Sequence, residues 1–560
     1  MTHLTSLIPN LRRKAVPRSS YWTCFLVAAA ALQLSACGGD EASSAAPGAS
    51  APAAGAPAPG ASARGAGARG ASAPGASPGG AAVPTSTAGS PASRAAPAQT
   101  APVGTASPLP EPAAQERCDN QANDTAEQLL ECVTLAGVRT HQSQLMEIAK
   151  AHNGTRLAGS PGYEASLEYA KQVLTEAGYH VTVQAFEFPV SRVEASSLRE
   201  PGQSAAASIP HLVLDYSGSA DLKAKISRPV GATGCKAADF AGFARGSIAL
   251  VRRGSCDLSD KVEAAVQAGA VGVVIQNPDD GPLAGSLTVS VPLDLPVVLV
   301  SQSVGEQLAQ RTLTGGKLRL QTKISRSMAT THNLLAESTS GDADHVTMVG
   351  AHLDSVRAGA GINDNGSGTS AVLEVARQMA RVKPLNRLRF ALWGAEEQGL
   401  LGSTYYVRNL AAAERARIGL YLNFDMIASP NHVFFVYGGD GSAGQQAISS
   451  PVASARIVDQ FTQFYSQRKQ AFKRMNSGGR SDHKPFADIG IPFGGVFTGA
   501  EEIKSQEEAQ TWGGTAGKAF DACYHSACDN LANFNATALD INADAVANAV
   551  LFYAMNRLER

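Results

Sequence analysis

The chain has 560 residues, too many for one small core, and two or three domains is the expectation from length. Aromatics are only 6% of the residues, while Gly and Pro number 55 and 29, so part of the chain is expected to stay outside any packed core. Lys and Arg total 47 against 48 Asp and Glu, and without Arg12, Arg13, Lys14 and Arg18 the balance is 43 against 48. That excludes the basic footprint of a nucleic-acid-binding protein.

Residues 1–36 read as an export signal. A basic stretch from Arg12 to Arg18 precedes an apolar run from Tyr21 to Leu34, too short to serve comfortably as a permanent membrane span. The run closes on Leu34-Ser35-Ala36-Cys37, which resembles a bacterial lipobox. That resemblance implies lipidation of Cys37 and a lipid anchor to a bacterial membrane. The alternative is an ordinary secretory peptide cut near Ala36, with Cys37 incidental. Gly38 in the following position implies outer-membrane sorting if the source is Gram-negative. The expected destination is a membrane-anchored lipoprotein of the outer membrane or cell surface, or a secreted protein.

Residues 37–116 are almost wholly Ala, Pro, Gly and Ser. Such a segment has too few large apolar side chains to offset ordering entropy and is expected to be a disordered linker. As a flexible coil it would reach on the order of 50 Å.

Folded sequence begins near Arg117. Ser160-Pro161 opens an expected helix, Gly178 stops it, and HVTVQAFEF continues as an alternating strand. Cys24 and Cys37 belong to the signal, and the other six cysteines lie in local pairs: Cys118/Cys132, Cys235/Cys256 and Cys523/Cys528. In an exported chain an even set favours disulfides. A Cys235–Cys256 bond would stabilise by roughly 3 kcal/mol through loop closure.

From about Ser191 to Ser327 the composition changes. GSIALVRRG, AVGVVIQNP and LPVVLVS read as short strands, and SDKVEAAVQAGA as a helix with Val262, Ala265, Val266 and Gly269 along one side. The glycines and paired cysteines between Gly231 and Asn277 resemble the protease-associated domain. Proteins of that family carry it as an insertion beside a peptidase core, which implies a role in substrate access or partner contact; a passive structural insert is the plain alternative.

After Thr331 strand, loop and helix alternate. VTMVGAHLDS, RLRFALWGAEE, IGLYLNFDM, VFFVYGG and IPFGGVFTG carry the near-continuous apolar runs of strands buried on both faces. GTSAVLEVARQMA, GSTYYVRNLA, ARIVDQFTQFYSQR and DINADAVANAVLFYAMNRL read as helices. The pattern predicts an α/β fold, with a mostly parallel or mixed central sheet flanked by helices. In such sheets ligands bind beyond the carboxyl ends of the strands. His352, the pair Glu396 and Glu397, and Asp425 each follow an apolar run, so three strands would deliver metal-type side chains to one edge. A lone His or Asp there would be an ordinary cap; three together with two ligand-rich loops point to a metal centre. Imidazole and carboxylate suit zinc, a paired site needs a bridging carboxylate, and Asp364 among the glycines of GINDNGSG is the candidate. Asp354 is placed to hold the second nitrogen of His352.

AHLDS, GINDNGSG, WGAEEQGLLGS, NFDMI, GRSDHKPF, FTGAEE and CYHSACD resemble, in order, the co-catalytic dizinc aminopeptidases of peptidase family 28. The resemblance covers about residues 118–190 and 331–560. It implies a zinc-exopeptidase-like peptidase domain in two parts, 117–190 and 331–560, with the β-rich protease-associated domain inserted at 191–330. Carried over, Asp364 bridges two zinc ions, His352 and Asp425 bind one, and Glu397 and His525 bind the other. Glu396 is then the general base acting on the bridging water, and Tyr524 the donor to the developing oxyanion. His483 takes a position behind the ligands. Arg480 with Glu396 and Asp425 would hold the free amino terminus of a peptide substrate, and Met426 and Phe497 would line an apolar pocket preferring large residues such as leucine. Competing readings are a carboxypeptidase or dipeptidase on the same scaffold, a one-zinc glutaminyl cyclase, and a non-catalytic binding protein.

Overall fold

The computed structural model describes residues 117–557, apart from 119, 231–232, 255, 257, 282, 284, 286, 288–292, 440–450 and 477–478. The expected signal at 1–36, the lipidated Cys37 and the linker at 37–116 lie outside the described residues.

Three helices lead in: α1 (Ala126–Cys132), α2 (Leu135–Ala151) and α3 (Pro161–Glu176). The third starts where the sequence predicts, since Ser160 Oγ accepts the Tyr163 N–H and Pro161 fills the first turn. Gly178, at φ +88°, supplies the left-handed stop. Next comes β1 (His180–Arg199), which pairs antiparallel with β7 (Lys317–Glu337) from His180↔Glu337 to Arg199↔Arg319.

Between the two arms of this ribbon lie β2 (Leu212–Val213), β3 (Ala220–Ser227), β4 (Ile248–Arg252), α4 (Leu258–Gln267), β5 (Gly272–Gln276), β6 (Val297–Val300) and α5 (Gln302–Leu313). This block has apolar clusters of its own, one around Phe240, Val251, Val262, Ile275 and Leu299, the other around Leu198, Leu250, Val274 and Leu320. Val266, expected on the inner side of α4, is exposed, whereas Val262 and Ala265 are buried. The sequence predicts a change of block at 190/191 and 330/331; the backbone runs through both points without a break, because β1 and β7 are each long enough to serve both cores.

The remaining elements are β8 (Asp342–His352), α6 (Gly366–Met379), β9 (Asn386–Trp393), α7 (Leu401–Arg408), α8 (Ala412–Arg417), β10 (Ile418–Phe424), β11 (Phe435–Gly438), α9 (Pro451–Gln467), β12 (Lys473–Arg474), α10 (His483–Asp488), β13 (Phe493–Phe497), α11 (Gln506–Trp512) and α12 (Ala536–Met555). The described strands form one sheet in the order β12-β11-β13-β10-β8-β9-β7-β3-β4-β5-β6-β2, with β1 paired to β7. Neighbours β13, β10, β8 and β9 are parallel, while β11 and β7 run against them on either flank. The fold is therefore mixed α/β with a parallel centre.

Alternation along those central strands explains their unbroken apolar runs. Val349, Phe390, Leu422 and Phe424 face a cluster shared with α2, α6 and α12, whereas Met348, Ala391, Trp393, Tyr421 and Phe493 face the opposite cluster, shared with α7 and α10. Gly368 permits the close approach of α6 to β10, since a Cβ there would stand 2.2 Å from the Phe424 carbonyl oxygen. No described helix is long and apolar enough to cross a membrane.

Candidate metal centre

The carboxyl ends of the parallel strands converge. His352 is the last residue of β8, Glu396 and Glu397 follow β9 by three and four residues, and Asp425 follows β10 directly. Asp364 comes from the loop before α6 and His525 from the loop before α12. All six side chains are buried or nearly so.

Asp364 stands between the two imidazoles. Its Oδ1 lies 3.2 Å from His352 Nε2 and its Oδ2 lies 3.1 Å from His525 Nε2. On the first side Asp425 Oδ1 is 3.4 Å from His352 Nε2; on the second Glu397 Oε2 is 3.0 Å from His525 Nε2. Each oxygen of one carboxylate thus belongs to a separate trio. Glu396 Oε2 is 3.9 Å from His352 Nε2, within the same cluster but outside hydrogen-bonding reach.

The surroundings fix these groups. Asp529 accepts the backbone N–H of Asn363 through Oδ1 (2.7 Å) and that of Asp364 through Oδ2 (2.9 Å), while Asn363 Nδ2 donates to Asp521 at 2.7 Å. A relay holds Asp425: Trp393 Nε1 donates to Tyr421 OH, which donates to Asn423 Oδ1; Asn423 Nδ2 donates to Ser481 Oγ, which donates to Asp425 Oδ2 at 2.7 Å. Arg156, fully buried, donates to the carbonyl oxygens of Leu353, Ala360 and Gly361, tying the residue after His352 to the loop that carries Asp364.

Asp354 lies beside His352. Its carboxylate Oδ1 is 3.6 Å from His352 Nδ1, whereas its backbone carbonyl oxygen is 3.2 Å from that nitrogen. The carboxylate also accepts the backbone N–H groups of Glu396 and Glu397 at 3.2 and 3.3 Å. It orients the turn that carries both glutamates.

Burial, with Asp425, Asp482 and Glu397 nearby, pushes the Glu396 carboxyl well above the usual range. Burial also lifts Glu397, to about 7. Asp364 is held below its ordinary value: burial works against this, and the imidazoles on either side prevail. His352 Nε2, Glu397 Oε1 and Asp425 Oδ1 are buried and make no hydrogen bond among the described residues. Buried polar atoms left so are costly, and a cation would satisfy all three. The nitrogen and oxygen donors fit zinc, a divalent ion they suit.

Two cavities meet here, sharing Glu396, Arg480, Tyr524 and His525. One, of about 710 Å³, is lined by Met426, Tyr437, Met475, Phe497 and Ala500. The other, of about 610 Å³, has Glu397 and Glu501 on one side and Arg253, Gly254, Cys256 and Leu258 of the inserted block on the other. Arg480 pairs with Glu501 at 2.9 Å and Glu502 at 3.3 Å, and lies 3.4 Å from the Tyr524 hydroxyl. Tyr524 stacks on His525 with ring centres 3.8 Å apart, in a loop closed by the Cys523–Cys528 disulfide. The other disulfides are Cys118–Cys132 and Cys235–Cys256.

His483 is buried, stacked on Phe493 at 4.8 Å, and absent from the described groups able to hold a cation. Burial, and then Lys484, pulls its pKa down to about 3. Asp529, Ser481 and Arg156 are the residues the sequence reading missed. The first two sit inside quoted motifs, one after Cys528 and one before Asp482, and that adjacency was the available signal.

A sheet that presents imidazoles and carboxylates at its carboxyl edge, beside two cavities, defines a metal-dependent hydrolase. The Peptidase family M28 model matches residues 333–550 and the PA domain model residues 220–308. An aminopeptidase of Pseudomonas aeruginosa is 43% identical over 439 residues, 74% of this chain and 80% of that one. The probable lipoprotein aminopeptidase LpqL of Mycobacterium tuberculosis is 39% identical over 76% of this chain and 86% of its own. Among solved structures, an aminopeptidase from Aneurinibacillus sp. strain AM-1 superposes with a TM-score of 0.60 at 26% identity, covering 78% of this chain and 98% of that one. The chain belongs to peptidase family M28 and is a peptide hydrolase.

Proposed function

We propose that the protein is an exported, zinc-dependent aminopeptidase that removes large apolar residues from the free amino terminus of peptides. The observation that carries this reading is Asp364, whose two oxygens each face a different imidazole with a further carboxylate alongside. His352, Asp364 and Asp425 would hold one zinc, and Asp364, Glu397 and His525 the other. Bound zinc would supply Lewis acidity toward water and the peptide carbonyl.

The chain's own residues divide the remaining work. Glu396, buried and free of any role as acceptor for the two imidazoles, takes the proton of the attacking water and returns it to the leaving amine. Tyr524, fixed against His525, donates to the oxygen of the attacked carbonyl. Glu396, where the two cavities meet, with Asp425 and Glu502 in the wall of the apolar one, makes an anionic surround for an ammonium group. The cavity of Met426, Met475 and Phe497 accepts an apolar side chain, which supports a preference for leucine-like residues. The names of the relatives, an aminopeptidase and a lipoprotein aminopeptidase, support cleavage at the amino end and, with Cys37 closing the signal, anchoring to a bacterial membrane.

The test measures zinc content and turnover of leucyl anilide before and after chelation, together with its N-acetylated analogue. Activity should vanish with the metal, return with zinc, and be absent on the blocked substrate. Cleavage of the acetylated substrate at the same rate would discard the aminopeptidase reading.

A further inference from the structure

Glu396 and Glu397 stand side by side on one turn, so a shift of that turn displaces both. Its backbone is an unfavourable one. Ala395 and Leu400 carry side chains in the left-handed region, at φ +55° and +59°, and such residues persist only where their surroundings over-determine them. Inside the turn, the Glu396 carbonyl oxygen accepts the N–H groups of Gly399 and Leu400, each at 2.8 Å, and the Ala395 carbonyl that of Leu401 at 2.9 Å. From outside, Asp354 accepts the N–H groups of Glu396 and Glu397. The Gln398 carbonyl oxygen, one residue past Glu397, accepts a bond from the inserted block: the Tyr216 hydroxyl donates to it at 2.7 Å.

Tyr216 is built to hold that place. It is 2% exposed and left-handed itself, at φ +65°, which is uncommon for a bulky side chain. Its loop is tied down residue by residue. The N–H of Leu214 donates to the Val297 carbonyl, that of Gly218 to the Leu295 carbonyl, and that of Leu293 to the carbonyl of Tyr216 itself. Ser217 Oγ accepts the Val297 N–H at 2.8 Å, and Thr322 Oγ1 donates to the Gly218 carbonyl at 2.7 Å. The loop therefore hangs on β6 and β7, apart from the turn that the Cys235–Cys256 disulfide closes. A cavity of about 320 Å³ runs along the same seam, lined by Ala158, Phe188, Asp215, Tyr216, Arg357 and Gln398. That space leaves the turn room to move on this side, so the hydroxyl bond rather than close packing holds it there.

We propose that Tyr216 is a positioning residue for the metal centre, through which the inserted block fixes the turn bearing Glu396 and Glu397. This rests on the zinc aminopeptidase reading above and deepens it. Asp354 holds the N–H side of the turn and Tyr216 its carbonyl side, so the two carboxylates are set by one residue of the peptidase core and one of the block. Residues behind metal ligands commonly change metal affinity or turnover by 10- to 100-fold when lost. Tyr216 acts one residue away from Glu397, which places its effect at about the lower figure. Tyr216 lines neither of the two cavities at the metal centre, so substrate binding is expected to change little.

The experiment compares Tyr216→Phe with Tyr179→Phe in the full chain. Tyr179 also donates from a buried hydroxyl to a backbone carbonyl, that of Ala376 at 2.8 Å, so the control loses the same kind of bond away from the turn. At saturating zinc, Tyr216→Phe should lower kcat on leucyl anilide about tenfold and leave KM within about twofold. Against a graded chelator it should release the zinc assigned to Asp364, Glu397 and His525 at about tenfold lower chelator concentration. Tyr179→Phe should change neither kcat nor zinc retention. A second measurement needs no variant: coupling is reciprocal, so zinc loading of the wild type should slow hydrogen exchange at the Ser217 and Gly218 amides. Wild-type kcat and zinc retention in Tyr216→Phe, equal losses in Tyr179→Phe, or exchange at those amides indifferent to zinc would each overturn the proposal. Failure of the zinc aminopeptidase reading looks different: the wild type itself then holds no zinc or leaves leucyl anilide uncleaved.

Discussion

The two walls of the cleft are built in contrasting ways. The inner wall grows from four parallel strands packed on both faces, and a relay of buried hydrogen bonds runs from Trp393 through Tyr421, Asn423 and Ser481 to Asp425. The outer wall is the turn after a single short strand, carried by a block with separate apolar clusters and clamped by one disulfide. Chemistry that tolerates little displacement sits on the first; groups that only discriminate among substrates can sit on the second. The β1–β7 ribbon joins them, so the outer wall is anchored by two continuous strands rather than by a flexible linker.

The strongest way to break this comparison is Glu396→Gln. If proton transfer belongs to the inner wall, kcat should fall by about a thousandfold, as loss of a general base does, while zinc measured by atomic emission stays bound, because Glu396 is the member of the cluster assigned to neither trio. A variant with near wild-type turnover and full zinc would remove Glu396 from the mechanism.

The outer wall should respond to a different change. Replacing Cys235 and Cys256 together by Ser opens a loop with a sequence separation of 21, and about 3 kcal/mol of stability should be lost on the chain-entropy account. Denaturant unfolding should show that loss with zinc content unchanged, and any fall in kcat/KM should be far smaller than for Glu396→Gln. If zinc leaves as the disulfide is removed, the two walls are not independent.

The inner wall was also the more legible in the sequence. His352, Glu396, Glu397 and Asp425 each end an apolar run, so a polar residue at that point has to have a reason. His525 and Tyr524 lie in a loop without periodicity, and only the ordered family motifs singled them out. Arg156 could not be found, because it acts on carbonyl oxygens about 200 positions away, at Leu353, Ala360 and Gly361; no local pattern encodes such a partner. The ribbon escaped for another reason. The distal half of β1 is largely exposed between Glu194 and Ser196 and carries a register shift between Val193 and Ala195, so its alternation fades where the two cores meet. The last helix begins at Ala536, four residues earlier than its apolar pattern suggests, because Asn535 Oδ1 caps it by accepting the Ala538 N–H at 3.0 Å.

His483 gives the finest probe of the inner wall. A histidine beside five metal-type residues invites assignment as a ligand, yet it lies buried between Tyr437 and Phe493. Burial, reinforced by Lys484, lowers its pKa to about 3. A group depressed in the folded state below its unfolded value of about 6.5 contributes stability that is fully present above that value and is lost as pH falls toward the folded pKa. At pH 5.5, one unit below the unfolded value, the loss should be about 1.4 kcal/mol relative to neutral pH. Zinc binding also weakens in acid, so the wild type must be compared with His483→Phe, which keeps a ring against Phe493 and cannot be protonated, both at saturating zinc. Between pH 7.5 and 5.5 the variant should lose less stability than the wild type by about that amount, read from denaturant midpoints. Identical losses would mean that His483 is already accessible to protons in the folded protein, and that the packing around β13 is looser than its buried rings imply.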